Sequence, residues 1–348
     1  MNARILTVLL LAWPGSALAQ GFAGLGQDPG GFSLPAPDPV FQFPEDHGPH
    51  PDFRIEWWYL TANLEGADGK TYGAQWTLFR NALAPEDGTG WDTPQIWMGH
   101  AGLTTETEHY STERFARGGI GTAGVTAEPF NAFIDDWAMA GPSLSEVTLT
   151  ARGSDFAYRL EAKADGPFVP QGAAGYSVKS PEGQASYYYS QPFYTVSGAL
   201  TLPEGEVSVT GTAWLDREWS SQPLSGDQIG WDWFALNFPD GEKMMAFRLR
   251  HEAAPDYING TWIAADGTPE PIPPGKIAMR PEATTYVEGG GDVPTSWALS
   301  LPERGLDITV AAINPRAWMD TAIAYWEGPV RVAGSHPGIG YLEMTGYE

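Results

Sequence analysis

The densest group of reactive side chains lies in Gly211-Thr212-Ala213-Trp214-Leu215-Asp216-Arg217-Glu218-Trp219. In an extended strand, alternation sends Trp214, Asp216 and Glu218 to one face and Leu215, Arg217 and Trp219 to the other. Two carboxyl groups on one face beside an indole raise each other's pKa through burial and repulsion, which is what a general acid needs near neutral pH. A structural role fits the same spacing: Arg217 ion-pairs a carboxylate, and the segment ties two parts of the fold together. Asp232 shares strand parity with Phe234, Leu236 and Phe238. A carboxyl on an apolar face has to be paired, hydrogen-bonded or protonated, so Asp232 is either an acid or a polar anchor; if the opposite face is the core, it is simply solvated. Glu56 stands in the same way beside Trp58 and Leu60.

The histidines offer less. His47 and His50 are spaced His-x2-His next to Asp46 and Asp52, a set that holds a metal when the imidazoles converge. Pro49 and Pro51 keep this stretch extended, so convergence is not enforced and no metal is assigned; His47 is read as structural or cavity-lining. His100, within Trp97-Met98-Gly99-His100-Ala101, is either a satisfied core histidine or a cavity residue. The chain has no cysteine, which removes disulfides and thiolate nucleophiles. It has no Gly-x-Ser-x-Gly elbow and no phosphate-cradling glycine loop, so no cofactor is expected.

The elements that position these residues are strands. Fifteen Trp, 42 Gly and 30 Pro suit short aromatic strands separated by turns. Ile55–Leu64 and Thr71–Arg80 flank Asp68-Gly69 as a hairpin, with Tyr72, Ala74, Trp76 and Leu78 on one face. Further strands are expected at Gln95–Thr104, Ser145–Ala151, Phe156–Ala162, Ser186–Tyr189, Thr195–Leu202, Glu206–Trp214, Trp231–Phe238 and Met244–Arg250. Others fall at Thr261–Ala264, Thr295–Leu301, Leu306–Ala312 and Tyr341–Tyr347, and a short helix over Pro315–Asp320 is compatible with the pattern. Glu56-Trp57-Trp58-Tyr59-Leu60 leading through Asp68-Gly69 to Arg80 is echoed by Trp231-Asp232-Trp233-Phe234 leading through Asp240-Gly241 to Arg248, which suggests two similar β units.

Residues 1–19 read as a secretory signal: Arg4, an apolar run over 5–13, a Pro14-Gly15 break and Ala17-Leu18-Ala19. No later run is long and apolar enough for a spanning helix, so a soluble periplasmic protein is expected, not an integral membrane one. Residues 20–39 are rich in Gly and Pro and are read as a flexible lead-in. Nineteen Lys and Arg against 43 Asp and Glu give a net charge of −24, which excludes nucleic acid as a partner.

Taken together, Phe43-Pro44-x-Asp46-His47-Gly48-x-His50-Pro51, Glu56-Trp57-Trp58-Tyr59, Gln95–Ala101, Ala185–Ser190, Gly211–Trp219, Gly230–Phe234, Tyr325–Val330 and Gly340–Glu343 resemble the secreted AttH/CrtC-type family, which includes carotenoid 1,2-hydratases and predicted secreted hydrolases. The resemblance implies an all-β fold of two lipocalin-like antiparallel barrels packed side by side, here 40–222 and 223–348. It also implies a hydrophobic, lipid- or isoprenoid-like ligand that the protein hydrates or hydrolyses by acid–base catalysis. In the hydratase branch an acid protonates a carbon–carbon double bond and water captures the cation, which calls for an apolar cavity, aromatic faces and one buried proton donor. Asp216 is the candidate acid, with Glu218 and Asp232 as further catalytic carboxyls. His47, Glu56, Trp58, His100, Trp214, Trp219, Trp231 and Trp233 are the candidate ligand-binding residues. Leu215-Asp216-Arg217-Glu218-Trp219 departs from the more His- and Asn-rich version expected in the carotenoid enzymes, which points away from a carotenoid. The competing reading is a non-catalytic carrier serving an ABC export system.

Overall fold

The structure is a computed structural model and describes residues 25, 27–86 and 88–347 of the chain. The signal expected over 1–19 lies outside the described residues. In the lead-in, the Ser33 amide donates to Asp52 O at 2.9 Å, and the Ala36 amide donates to the Tyr187 hydroxyl at 2.9 Å.

Among the described residues the strands form two antiparallel sheets, one of 13 strands and one of 10. The first comprises β1 (Ile55–Gly66), β2 (Thr71–Ala82), β3 (Gln95–Thr104), β4 (His109–Arg117), β5 (Ala123–Thr126), β6 (Phe130–Ile134), β7 (Trp137–Ser143), β8 (Glu146–Arg152), β9 (Ala157–Ala164), β10 (Val169–Pro170), β11 (Tyr176–Val178), β12 (Ala185–Leu202) and β13 (Gly205–Ser220). The second comprises β14 (Gln228–Asn237), β15 (Lys243–His251), β16 (Tyr257–Ile263), β17 (Pro269–Ile272), β18 (Ala278–Val287), β19 (Gly291–Leu301), β20 (Leu306–Ala312), β21 (Trp318–Met319), β22 (Tyr325–Gly334) and β23 (Gly338–Thr345). Both curl into barrels, as the all-β, two-barrel reading expects.

The sheets share a plan. In each, the first strand lies between its hairpin mate and the last strand: β1 pairs with β2 and β13, and β14 pairs with β15 and β23. The two Trp-rich hairpins noted in the sequence are these central hairpins. The first turns at Gly69, whose φ of +78° is a left-handed conformation that a side chain would strain. Tyr72, Ala74, Trp76 and Leu78 enter the first barrel's core, as alternation requires.

Two sequence readings fail locally. The expected helix over Pro315–Asp320 is instead a turn followed by β21, whose Trp318 and Met319 pair with Trp326 and Tyr325. Ser186–Tyr189 and Thr195–Leu202 are one strand, because β12 passes Pro192 through a register shift between Gln191 and Tyr194.

Three apolar cores result. One fills each barrel. The third lies between them and joins Tyr59, Tyr188 and Trp214 of the first sheet to Trp233, Phe247 and Tyr341 of the second. The central strands β1, β14 and β23 and the second half of β13, residues 213–220, are therefore largely buried on both faces. That geometry makes the seam, rather than either barrel, the place where side chains from both sheets meet.

Candidate functional site

A cavity of about 320 Å³ opens in the seam, within the size range of small-molecule sites. From the first sheet come Trp57 and Tyr59 of β1, Tyr188 of β12, and Asp216 and Glu218 of β13. From the second come Trp231 and Trp233 of β14, Phe247 and Leu249 of β15, Tyr325 of β22 and Glu343 of β23. The exposed side chains of Leu83 and Phe115 stand on its apolar rim.

Alternation along β13 holds as read from the sequence. Leu215 and Trp219 enter the first barrel's core, while Trp214 joins the seam core and Asp216 and Glu218 line the cavity. Asp216 is 3% exposed. Its Oδ1 accepts from Ser190 Oγ at 2.5 Å and Trp214 Nε1 at 2.7 Å, and its Oδ2 accepts from the Tyr188 hydroxyl at 2.5 Å. Burial raises its pKa, the Glu218 charge adds to the rise, and the three donors only partly offset it, so the carboxyl is pushed up to about 7. Glu218 is held by the Lys179 ammonium at 2.9 Å, which also stands over the rings of Tyr188 (4.8 Å) and Phe247 (4.4 Å).

The second sheet supplies an acidic group that sequence reasoning missed. Glu343 accepts from Trp231 Nε1 at 2.5 Å, and burial, reinforced by Asp216 and Glu218, pushes its pKa up to about 7. Directly opposite across β22 and β23 lies Glu327, fully enclosed, accepting from the Tyr59 hydroxyl at 2.5 Å. Burial and the neighbouring Glu343 raise Glu327 well above the carboxylate range. Tyr325, whose hydroxyl sits 3.0 Å from His100 Nδ1, carries this polar chain back to the first sheet. His100 is fully buried, and burial lowers its pKa to about 3, so its ring is neutral. Glu327 and Glu343 each interrupt a run of apolar strand residues, and that was the available signal. Lys179, Tyr59, Tyr188 and Tyr325 carried none.

Of the residues picked from sequence, the cavity gathers Asp216, Glu218, His100, Trp231 and Trp233, with Trp214 immediately behind Asp216. The structure places Asp232, Glu56, His47, Trp58 and Trp219 elsewhere. Asp232 faces the interior of the second barrel, because Trp231 and Trp233 take the seam face of β14. There it accepts from Tyr347 Oη at 2.8 Å and meets Arg248 at 3.4 Å and Arg250 at 3.7 Å. Burial raises its pKa to about 6 even against the two guanidiniums.

Glu56 occupies the equivalent position in the first barrel. It faces Arg80 across the hairpin as Asp232 faces Arg248, and it also binds Arg217 at 2.5 Å and His50 at 3.1 Å. His47 hydrogen-bonds Tyr189 Oη at 2.7 Å, and its carbonyl accepts from Trp58 Nε1 at 2.8 Å. Trp219 stacks on His50 with ring centroids 3.9 Å apart. His50 thus turns to Glu56 and Asp46, and no group of three or more His, Asp or Glu able to hold a metal occurs among the described residues.

An aromatic-walled cavity with two carboxyls whose pKa burial raises to about 7 can hold an apolar molecule and exchange protons with it. No curated protein matches the sequence. Among solved structures, a candidate AttH protein from Nitrosomonas europaea is similar over 91% of this chain and 99% of its own, with 31% identity and a TM-score of 0.82. Kievitone hydratase from Nectria haematococca is similar over 90% of this chain and 98% of its own, with a TM-score of 0.68; at 15% identity that likeness is one of fold. The AttH-like family model matches residues 34–347, and the chain belongs to that family.

Proposed function

We propose that this protein binds a hydrophobic, lipid- or isoprenoid-like molecule in the seam cavity and hydrates a carbon–carbon double bond in it by acid–base catalysis. The observation that carries this reading is Asp216, a buried carboxyl held by Tyr188, Ser190 and Trp214 on the wall of an aromatic cavity. The protonated Asp216 carboxyl gives its proton to one alkene carbon, leaving a cation on the other. The faces of Trp57, Trp231 and Trp233 and the Glu218 carboxylate stabilise that charge. Water attacks the cation and releases a proton to Glu218, which stands 2.9 Å from the Lys179 ammonium. Return of that proton to Asp216 closes the cycle. The hydratase in the fold neighbour's name agrees with this reading, as does the apolar lining. The signal over residues 1–19 would place the reaction in the periplasm.

The full set of donors around Asp216 favours a second reading, a carrier that holds the same ligand unaltered and delivers it to an ABC export system in the envelope. One experiment separates the two. Wild type and Asp216→Asn are incubated with geraniol and with a terpenoid extract in ¹⁸O-water, and ligand masses are read by native mass spectrometry. Hydration requires that wild type release a product heavier by one labelled water, and that the variant still bind but turn over about 10²–10⁴-fold more slowly. Retention of the same unaltered ligand by both proteins leaves the carrier.

A further inference from the structure

The charges around the cavity are unbalanced. Three carboxyl side chains, Asp216, Glu218 and Glu343, line it, and Lys179 is the cationic side chain among its described lining residues. That ammonium is already engaged, 2.9 Å from Glu218 and boxed against the Tyr188 and Phe247 rings. The chain's own ammonium thus displays the kind of group this wall accommodates: a carboxylate on one side and aromatic faces on the others. Asp216 and Glu343 have no cation of their own in the cavity; the groups that hydrogen-bond them are the neutral donors Ser190, Trp214 and Tyr188 at Asp216 and Trp231 and Tyr59 at Glu343.

A further polar atom of the same wall is left without a partner. His100 lines the same cavity and is fully buried, and its Nδ1 is taken by Tyr325, while its Nε2 has no hydrogen-bond partner. The nearest charged group to that nitrogen is Glu113, at 3.9 Å.

Resting on the reading of the seam as a ligand cavity, we propose that it selects ligands by charge, taking lipophilic cations ahead of neutral molecules of the same shape and excluding lipophilic anions. A ligand ammonium would meet Asp216 and Glu343 as counter-charges and Trp57, Trp231 and Trp233 as faces. A ligand carboxylate would enter a poorly solvated space among like charges, with the one ammonium already occupied. The features that would stabilise a carbocation in turnover are the ones that hold a stable cation at rest, so the order of binding is readable without any reaction.

The test uses three C10 probes with one skeleton: geranylamine, geraniol and geranic acid. Each is titrated into the full-length mature protein at about pH 8, where an alkylamine stays protonated and Asp216 and Glu343 are mostly ionised. Quenching of the cavity tryptophans reads affinity, and calorimetry checks it. Geranylamine is expected to bind about tenfold or more tightly than geraniol, and geranic acid about tenfold or more weakly. In Glu343→Gln the ratio of geranylamine to geraniol affinity falls by about threefold or more, whatever the change in either affinity alone. Equal affinity for the three probes, or tighter binding of geranic acid than of geraniol, overturns charge selection. Saturable binding by none of them removes the ligand cavity and this inference with it. Loss of the hydratase reading alone looks different: the charge order holds, but geraniol gains no water.

Discussion

At the scale of single residues, Asp216 and Glu343 are carboxyls that the fold keeps protonated far above their usual range. Burial is the dominant cause in both; the Glu218 charge adds to the rise at Asp216, and Asp216 and Glu218 together add to it at Glu343. Asp216 is faced by Tyr188 and Ser190 of β12 and by Trp214 and Glu218 of its own strand; Glu343 is faced by Trp231 of β14 and Tyr59 of β1. Their linkage to stability has a definite sign. A carboxyl whose pKa is raised by folding binds its proton more tightly in the folded chain than in the unfolded one. Its favourable contribution is complete below the unfolded value, near 4, and is lost as pH rises toward about 7. Above that pH the folded chain must hold buried negative charge. Glu343→Gln is therefore expected to stabilise the protein at about pH 8 by on the order of 1–3 kcal/mol, and to have little effect near pH 4. Chemical denaturation at the two pH values measures this, and a variant equally destabilised at both would show that Glu343 is not a strained acid.

At the scale of elements, the two central hairpins explain which candidates were legible and which were not. Strand identity and facing came through where aromatic and β-branched residues alternate. Gln95–Thr104 and Leu306–Ala312 coincide with β3 and β20, and the parity of Gly211–Trp219 separates cavity side chains from core ones correctly. Strands β5, β6 and β7 escaped because they are only 4, 5 and 7 residues long, too short for alternation such as that of Phe130, Ala132 and Ile134 to stand out. Parity also could not say which of two buried faces holds the ligand. Asp232 and Glu56 do share a face with apolar residues, but that face belongs to a barrel interior, where each acid meets the hairpin's own arginine. Convergence of Glu343 with Asp216 depends on two sheets meeting, and no local pattern encodes that.

The hairpin anchors carry their own prediction. Burial alone would raise the pKa of Glu56, yet Arg217, Arg80 and His50 outweigh it and hold the carboxyl far below its usual range. Its contribution is therefore present above the unfolded value and lost as pH falls below it. Glu56→Gln leaves two buried guanidiniums without their counter-charge and should cost about 3–5 kcal/mol at neutral pH. Because Glu56 lies on the face of β1 opposite the cavity, geraniol affinity in the folded variant should match wild type. A large loss of affinity would instead place Glu56 in the ligand site.

At the scale of the whole molecule, the two barrels are joined by a third apolar core rather than by a linker, and that core includes cavity walls. Their contact is close enough to demand glycine at one point. Gly73 of β2 lies against β22 and β23: a Cβ there would fall 2.5 Å from Pro329 Cδ and 3.0 Å from the Tyr341 hydroxyl. Tyr341 is itself a member of the seam core, so the steric demand is transmitted directly to the interface that shapes the cavity. Gly73→Val inserts a branched side chain where backbone and ring already touch, and overpacking of this kind typically costs about 1–3 kcal/mol. If the seam welds the barrels into one cooperative unit, calorimetry and tryptophan fluorescence should show a single shared transition in wild type, displaced to lower temperature in the variant. Geraniol quenching should weaken in the same variant, because moving β22 and β23 away from β2 shifts Tyr325 and Glu343 relative to Asp216. Two separate transitions in wild type would mean that each barrel is stable alone. Unchanged ligand affinity in a clearly destabilised Gly73→Val would mean that the cavity does not depend on how tightly the sheets are joined.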